Sequence, residues 1–144
     1  MLGQSVVTDE LCFMIIGDLA FCYDMNCLSI RHIKNNVRIL LVNNNGGIEF
    51  KLNGINNKSI DKYTAASGHF KNAQGWAEAC GFRYLMAENK TEFDFNIDTF
   101  VKYSDSPILF EIFTSDIEES DALRKFREEN SEFSLTEKMK HKTK

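Results

Sequence analysis

Leu11-Cys12-Phe13-Met14-Ile15-Ile16-Gly17-Asp18-Leu19-Ala20 and Val37-Arg38-Ile39-Leu40-Leu41-Val42-Asn43-Asn44-Asn45-Gly46-Gly47 are the two stretches that decide the fold. Each is an apolar run that empties into a turn, the first into Gly17-Asp18 and the second into a cluster of Asn and Gly. Leu11 to Ile16 is continuously apolar, which is how a strand buried on both faces of a parallel sheet reads. Between the two runs the period changes. Met25, Leu28, His32 and Ile33 share one face of a helix expected from Tyr23 to Ile33, and Asp24 sits near its N-terminus, where the helix dipole favours negative charge. Lys34-Asn35-Asn36 closes that helix. Two buried strands joined by one amphipathic helix form a right-handed βαβ unit. Asp18 and Asn45 lie 27 positions apart, about what such a unit consumes between its two strand ends.

The remaining chain extends the same pattern. Gly46 to Gly68 has no sustained period and contains Asn53-Gly54, Asn56-Asn57 and Ser67-Gly68, so it reads as a lid or ligand-covering loop. Phe70, Ala73, Ala77 and Cys80 recur at helical spacing beside Trp76, and Gly81 stops the helix. Phe82 to Met86 reads as a short strand, and a helix from Thr91 carries the core face Phe93, Ile97, Phe100 and Val101. Pro107 precedes the last strand, Ile108 to Phe113, inside which Glu111 reads as a solvated strand-end carboxylate. Ser115-x-x-Glu118 is a capping box that opens a final helix through Ile117, Leu123 and Phe126. From Arg124 to Lys144 seven Lys or Arg face four Glu, the composition of a frayed helix or mobile tail. The order predicts a three-layer αβα domain with a mostly parallel sheet of four strands over residues 1–126, followed by a polar tail, 127–144.

Composition narrows the function. A chain of 144 residues with 43% hydrophobic content buries one core, and a net charge of −4 argues against nucleic acid as the main partner. Cys12, Cys22, Cys27 and Cys80 show no CxxC spacing and read as buried, reduced thiols of a cytoplasmic protein. No apolar run reaches the length of a membrane span, and residues 1–16 lack the basic start of a signal peptide. A Gly-x-Ser-x-Gly elbow, a P-loop lysine and a Gly-x-Gly-x-x-Gly fingerprint are all absent from the sequence. His32 is expected to pack on its helix face, His69 borders the lid loop, and His141 lies in the tail.

The strand ends carry the chemistry. In open α/β sheets ligands collect beyond the carboxyl ends of the strands, where Asp18 and Asn45 are placed. A carboxylate, an amide carbonyl and a backbone carbonyl are hard oxygen ligands suited to Mg²⁺ or Ca²⁺. Gly46 and Gly47 let the chain turn its own carbonyl toward an ion. Amides around Leu19 and Ala20 stand near a helix start, where phosphate binds. The site suggests a diphosphate held through a divalent cation.

Gly17-Asp18 followed by Asn44-Asn45-x-Gly47 is similar to the diphosphate-binding signature of thiamine-diphosphate enzymes. The fuller string, Gly17-Asp18-Leu19-Ala20-Phe21-x-x-Asp24-Met25-Asn26 with Val42-Asn43-Asn44-Asn45-Gly46-Gly47, most resembles the menaquinone-pathway 2-succinyl-5-enolpyruvyl-6-hydroxy-3-cyclohexene-1-carboxylate synthase branch. The resemblance covers residues 2–125, and it is specific for the cofactor rather than the substrate. It implies that Asp18, the Asn45 side chain and the Gly47 carbonyl bind Mg²⁺. It further implies that Gly17, Leu19 and Ala20 run along the diphosphate of thiamine diphosphate, with Gly46 and Ile48 completing the cofactor site. Ile48 and Phe50 would edge the substrate pocket, although this chain reads Gly-Gly-Ile-Glu-Phe where the branch has Gly-Gly-x-Ile-Phe. Leu19 replaces the glycine of most of the superfamily and agrees with the synthase branch.

In such enzymes a separate pyrimidine-binding domain or subunit supplies an activating glutamate, so no catalytic residue is assigned to this chain. The resemblance thus implies the C-terminal part of a larger 2-oxo acid decarboxylase or carboligase (a transferase or lyase), inactive alone and working as a homo- or hetero-oligomer. A truncated frame, an excised piece and a subunit of a split enzyme all fit. Two other readings stand beside it: a non-catalytic oligomerisation module on the same fold, and, ranked last, a Mg²⁺-phosphate protein such as a phosphatase.

Overall fold

The computed structural model describes residues 1–47, 72–115, 119 and 121–130. Its centre is a sheet of four parallel strands, β1 (Cys12–Gly17), β2 (Val37–Asn43), β3 (Arg83–Ala87) and β4 (Ile108–Phe113), in the spatial order β1-β2-β4-β3. Gly17 pairs with Val42, and Asn43 with Phe113, so β1, β2 and β4 end at nearly one level. β2 and β4 are inside the sheet and are its most buried strands. Alternation along β2 sends Val37, Ile39 and Leu41 to one face and Arg38 and Leu40 to the other.

The first face is covered by α1 (Leu2–Val7), α2 (Asp18–Asp24) with the 3₁₀ turn Met25–Ser29 that follows it, and α3 (Gln74–Ala79). Phe21, Leu28, Ala77 and Leu109 meet there. The second face carries α4 (Lys90–Phe100), whose Phe93, Ile97 and Phe100 pack on Phe110 and Ile108. The Asn89 side chain caps α4 by accepting from the Glu92 amide. This is the three-layer αβα arrangement expected, with all four strands where the apolar runs put them. Residues 121–130 form a further, largely exposed helix, α5.

Several expectations are corrected. The first crossover helix begins at Asp18, not Tyr23. Gly17 is its extended N-cap (φ −78°, ψ 159°), and Asp18 accepts its neighbour's amide. It tightens to 3₁₀ at Met25 because Asn26, Cys27 and Ser29 are weak helix formers, and the Ser29 hydroxyl donates to the Asn26 carbonyl at 2.8 Å. His32 therefore falls in an exposed turn rather than on a packed helix face. β1 is an edge strand buried on one side only, with Phe13 50% and Ile15 74% exposed on the other. Val101 lies just past the end of α4 and is half-exposed rather than core. All four cysteines are part-buried rather than fully buried. The lid loop with Ile48, Phe50 and His69, the core position Phe70, the capping-box Glu118 with Ile117, and His141 lie outside the described residues.

Candidate functional site

Asp18 is the first residue of α2 and only 2% exposed. Its Oδ1 accepts the Leu19 amide at 2.7 Å and its Oδ2 accepts the Gly46 amide at 3.0 Å. The carboxylate thus bridges the end of β1 to the turn after β2, and the two halves read from the sequence meet at hydrogen-bond distance. Leu19 is part-buried, while Gly17 and Ala20 are exposed. In this structure the Leu19 amide, which the resemblance puts on the diphosphate, donates to Asp18 itself.

The turn after β2 has a fixed shape. Asn45 has φ 63°, the left-handed region that Asn tolerates better than most residues. Its amide donates to Asn43 Oδ1 at 3.1 Å, an Asx turn. The Asn45 side chain is exposed, whereas Gly46 and Gly47 are buried. Asn44 Nδ2 donates to Glu119 Oε2 at 2.9 Å, and the Glu119 carboxylate also accepts from the Thr114 hydroxyl. Asn44 Oδ1 is buried without a hydrogen-bond partner among the described residues.

One residue of the site escaped the sequence reading. Glu111 is fully buried, not a solvated carboxylate. Its Oε1 accepts from Asn43 Nδ2 at 2.7 Å. Its Oε2 accepts the Ala73 amide at 2.8 Å and the Tyr84 hydroxyl at 2.6 Å. Burial first, and then the bond to Glu111, push the Tyr84 phenol well above its ordinary range. The Cys22 thiol is also pushed up, by burial and then by the charges of Asp18 and Glu111. Two buried carboxylates therefore act on one neighbourhood, and the donors that meet Glu111 are all neutral. The available signal was the position of Glu111, a charge flanked by apolar residues inside a central strand.

Asp18 and the carbonyls of Asn45 and Gly47 are hard oxygen donors, the kind that a cation-bound diphosphate uses. Gly17 has an ordinary negative φ, and a Cβ built on it meets nothing within 4 Å, so neither backbone nor packing requires a glycine there. Among the described residues no cluster of three or more His, Cys, Asp or Glu is placed to hold a metal. One carboxylate with amide and backbone carbonyls leaves most of a Mg²⁺ shell to phosphate and water, as is usual for that ion.

Fold and strand ends define a parallel α/β unit in which Asp18 and Gly46 meet beyond β1 and β2. Comparison with known proteins gives its relatives. The chain is 35% identical over 128 residues, 87% of its length, to a 2-succinyl-5-enolpyruvyl-6-hydroxy-3-cyclohexene-1-carboxylate synthase of Phocaeicola vulgatus. Synthases of the same name from Bacteroides thetaiotaomicron and Bacteroides fragilis are 37% and 36% identical over 78% and 79% of the chain. By that similarity the chain is a homologue of one segment of these synthases. It spans 23%, 21% and 21% of these three relatives, about a fifth of their length. No family model matches the chain. No helix among the described residues is long and apolar enough to cross a membrane.

Proposed function

We propose that this chain is the diphosphate- and Mg²⁺-binding part of a thiamine-diphosphate-dependent 2-oxo acid decarboxylase or carboligase. The carrying observation is the Asp18 carboxylate held against the Gly46 amide at the ends of β1 and β2, in a chain homologous to a segment of these synthases. Asp18, Asn45 and the Gly47 carbonyl would hold the ion, and the main chain of Gly17, Leu19 and Ala20, with Gly46 and Ile48, would line the cofactor. Bound thiamine diphosphate supplies the carbanion chemistry on the 2-oxo acid. The residues here bind and orient its diphosphate end, and the pyrimidine end falls to a further domain or subunit. Alone, the chain is expected to turn over no 2-oxo acid.

Calorimetry with thiamine diphosphate and Mg²⁺ tests the reading. The wild-type chain should bind only when both are present, and Asp18→Ala should abolish the signal. A wild type that binds nothing, or an Asp18→Ala variant that binds as well as the wild type, overturns it. A second reading, an association module, is favoured by one observation: the edge strand β1 shows Phe13 and Ile15 to solvent.

A further inference from the structure

We propose that Glu111 is a positioning residue that sets both ends of the segment between β2 and α3. The segment leaves the sheet at Asn43 and re-enters the described structure at Asn72 and Ala73. One carboxylate meets both points. Oε1 accepts from Asn43 Nδ2 at 2.7 Å, and Oε2 accepts the Ala73 amide at 2.8 Å. From Asn43 the link continues, because the same side chain uses its Oδ1 to accept the Asn45 amide at 3.1 Å. Glu111 thereby orients Asn43 so that its oxygen, not its nitrogen, faces Asn45. That orientation supports the left-handed turn whose next amide, Gly46, reaches Asp18 at 3.0 Å. Tyr84 donates to Oε2 at 2.6 Å and steadies the carboxylate from β3.

The charge and length of glutamate both matter. A carboxylate offers acceptors in two directions and no donor, as its neutral donors from β2, β3 and the start of α3 require. Glutamine keeps one oxygen and presents a donor at the other end, so it can serve Asn43 or Ala73 but not both. Leucine fills similar volume and serves neither. A residue that merely stabilised the sheet would affect all amides together. A positioning residue affects the two ends of the segment.

The bearing on ligand binding rests on the function proposed above, so the test has two separate readouts. Amide hydrogen exchange on the full chain reads the positioning directly. Glu111→Gln should raise exchange about tenfold at Asn45 and Gly46 or at Ala73, and Glu111→Leu at both ends. The strand amides of Leu40 and Leu109 should keep wild-type protection in Glu111→Gln. Wild-type protection at both ends in Glu111→Gln, or an equal rise at ends and strands, overturns the proposal. In calorimetry Glu111→Gln should weaken thiamine diphosphate–Mg²⁺ binding about tenfold. A wild type that binds no cofactor removes the function reading, while the exchange data still decide the role of Glu111.

Discussion

Asn45 carries two separable properties at one position, a left-handed backbone and an exposed amide carbonyl. An L-residue with a Cβ pays about 1–2 kcal/mol for that conformation, and glycine avoids the cost. Asn45→Gly should therefore leave stability within about 1 kcal/mol of wild type, on the favourable side, yet abolish Mg²⁺-dependent cofactor binding. Asn45→Val should lose both binding and about 1–2 kcal/mol in urea denaturation. Wild-type binding by Asn45→Gly would show that the side-chain carbonyl is not a ligand. Legibility at this scale was uneven for a physical reason. Asp18 and Asn45 follow apolar runs, and a run that stops marks where a strand ends. Glu111 lies within a run, and its partners Asn43, Ala73 and Tyr84 come from three distant parts of the chain. No local pattern contains that information.

Elements were legible where their signal is local. The four strands came from apolar runs, α4 from the spacing of Phe93, Ile97 and Phe100, and the stop after α3 from Gly81, whose φ is +82°. The start of α2 was missed because it depends on the Asp18 carboxylate turning back on the Leu19 amide, which spacing does not encode. Burial of β1 was overestimated because an apolar run says what a strand can bury, not whether it has a neighbour. Arg38 shows the same gap: it sits in the apolar run of β2 and is fully buried. Its Nε donates to the Phe100 carbonyl at 2.9 Å and its Nη2 to the Lys102 carbonyl at 2.7 Å, closing the C-terminal end of α4. Its Nη1 serves the Asn35 and Val37 carbonyls at 2.6 and 2.9 Å. Arg38→Met retains the apolar stem but strips partners from several carbonyls, so it should cost about 3 kcal/mol. Arg38→Lys, with fewer donors in a different geometry, should recover only part of that. The check is the urea midpoint at unchanged m. A loss under about 0.5 kcal/mol for Arg38→Met, the range of ordinary surface changes, would mean that water replaces the guanidinium.

At the scale of the whole molecule the two edges of the sheet differ. Among the described residues β1 pairs only with β2 and β3 only with β4, and β3 carries the charge of Arg83 whereas β1 carries none. Cys12-Phe13-Met14-Ile15-Ile16-Gly17 holds neither Pro nor charge, the usual devices that protect a sheet edge. Phe13 stands edge-on to the Phe100 ring at 5.6 Å, and Ile15 beyond it is 74% exposed. Under the association reading proposed above, an edge of this kind pairs with a strand of a second copy. The wild type should therefore show concentration-dependent association in sedimentation velocity. Ile15→Lys should remain monomeric at the same concentrations, because the ammonium stays hydrated only while the face is open. Since Ile15 contributes little to the core, the variant should unfold within about 0.5 kcal/mol of wild type, which separates lost association from lost folding. Equal association of Ile15→Lys and wild type would move the contact away from β1. The two strand ends of the site lie beside this edge, so an occupant of β1 would stand next to Gly17 and the space in front of it. Cofactor affinity is then expected to respond to assembly, and titration of Ile15→Lys with thiamine diphosphate and Mg²⁺ separates the cases. Affinity equal to wild type makes the site complete within one chain, whereas weaker binding by a folded, monomeric Ile15→Lys makes assembly part of the site.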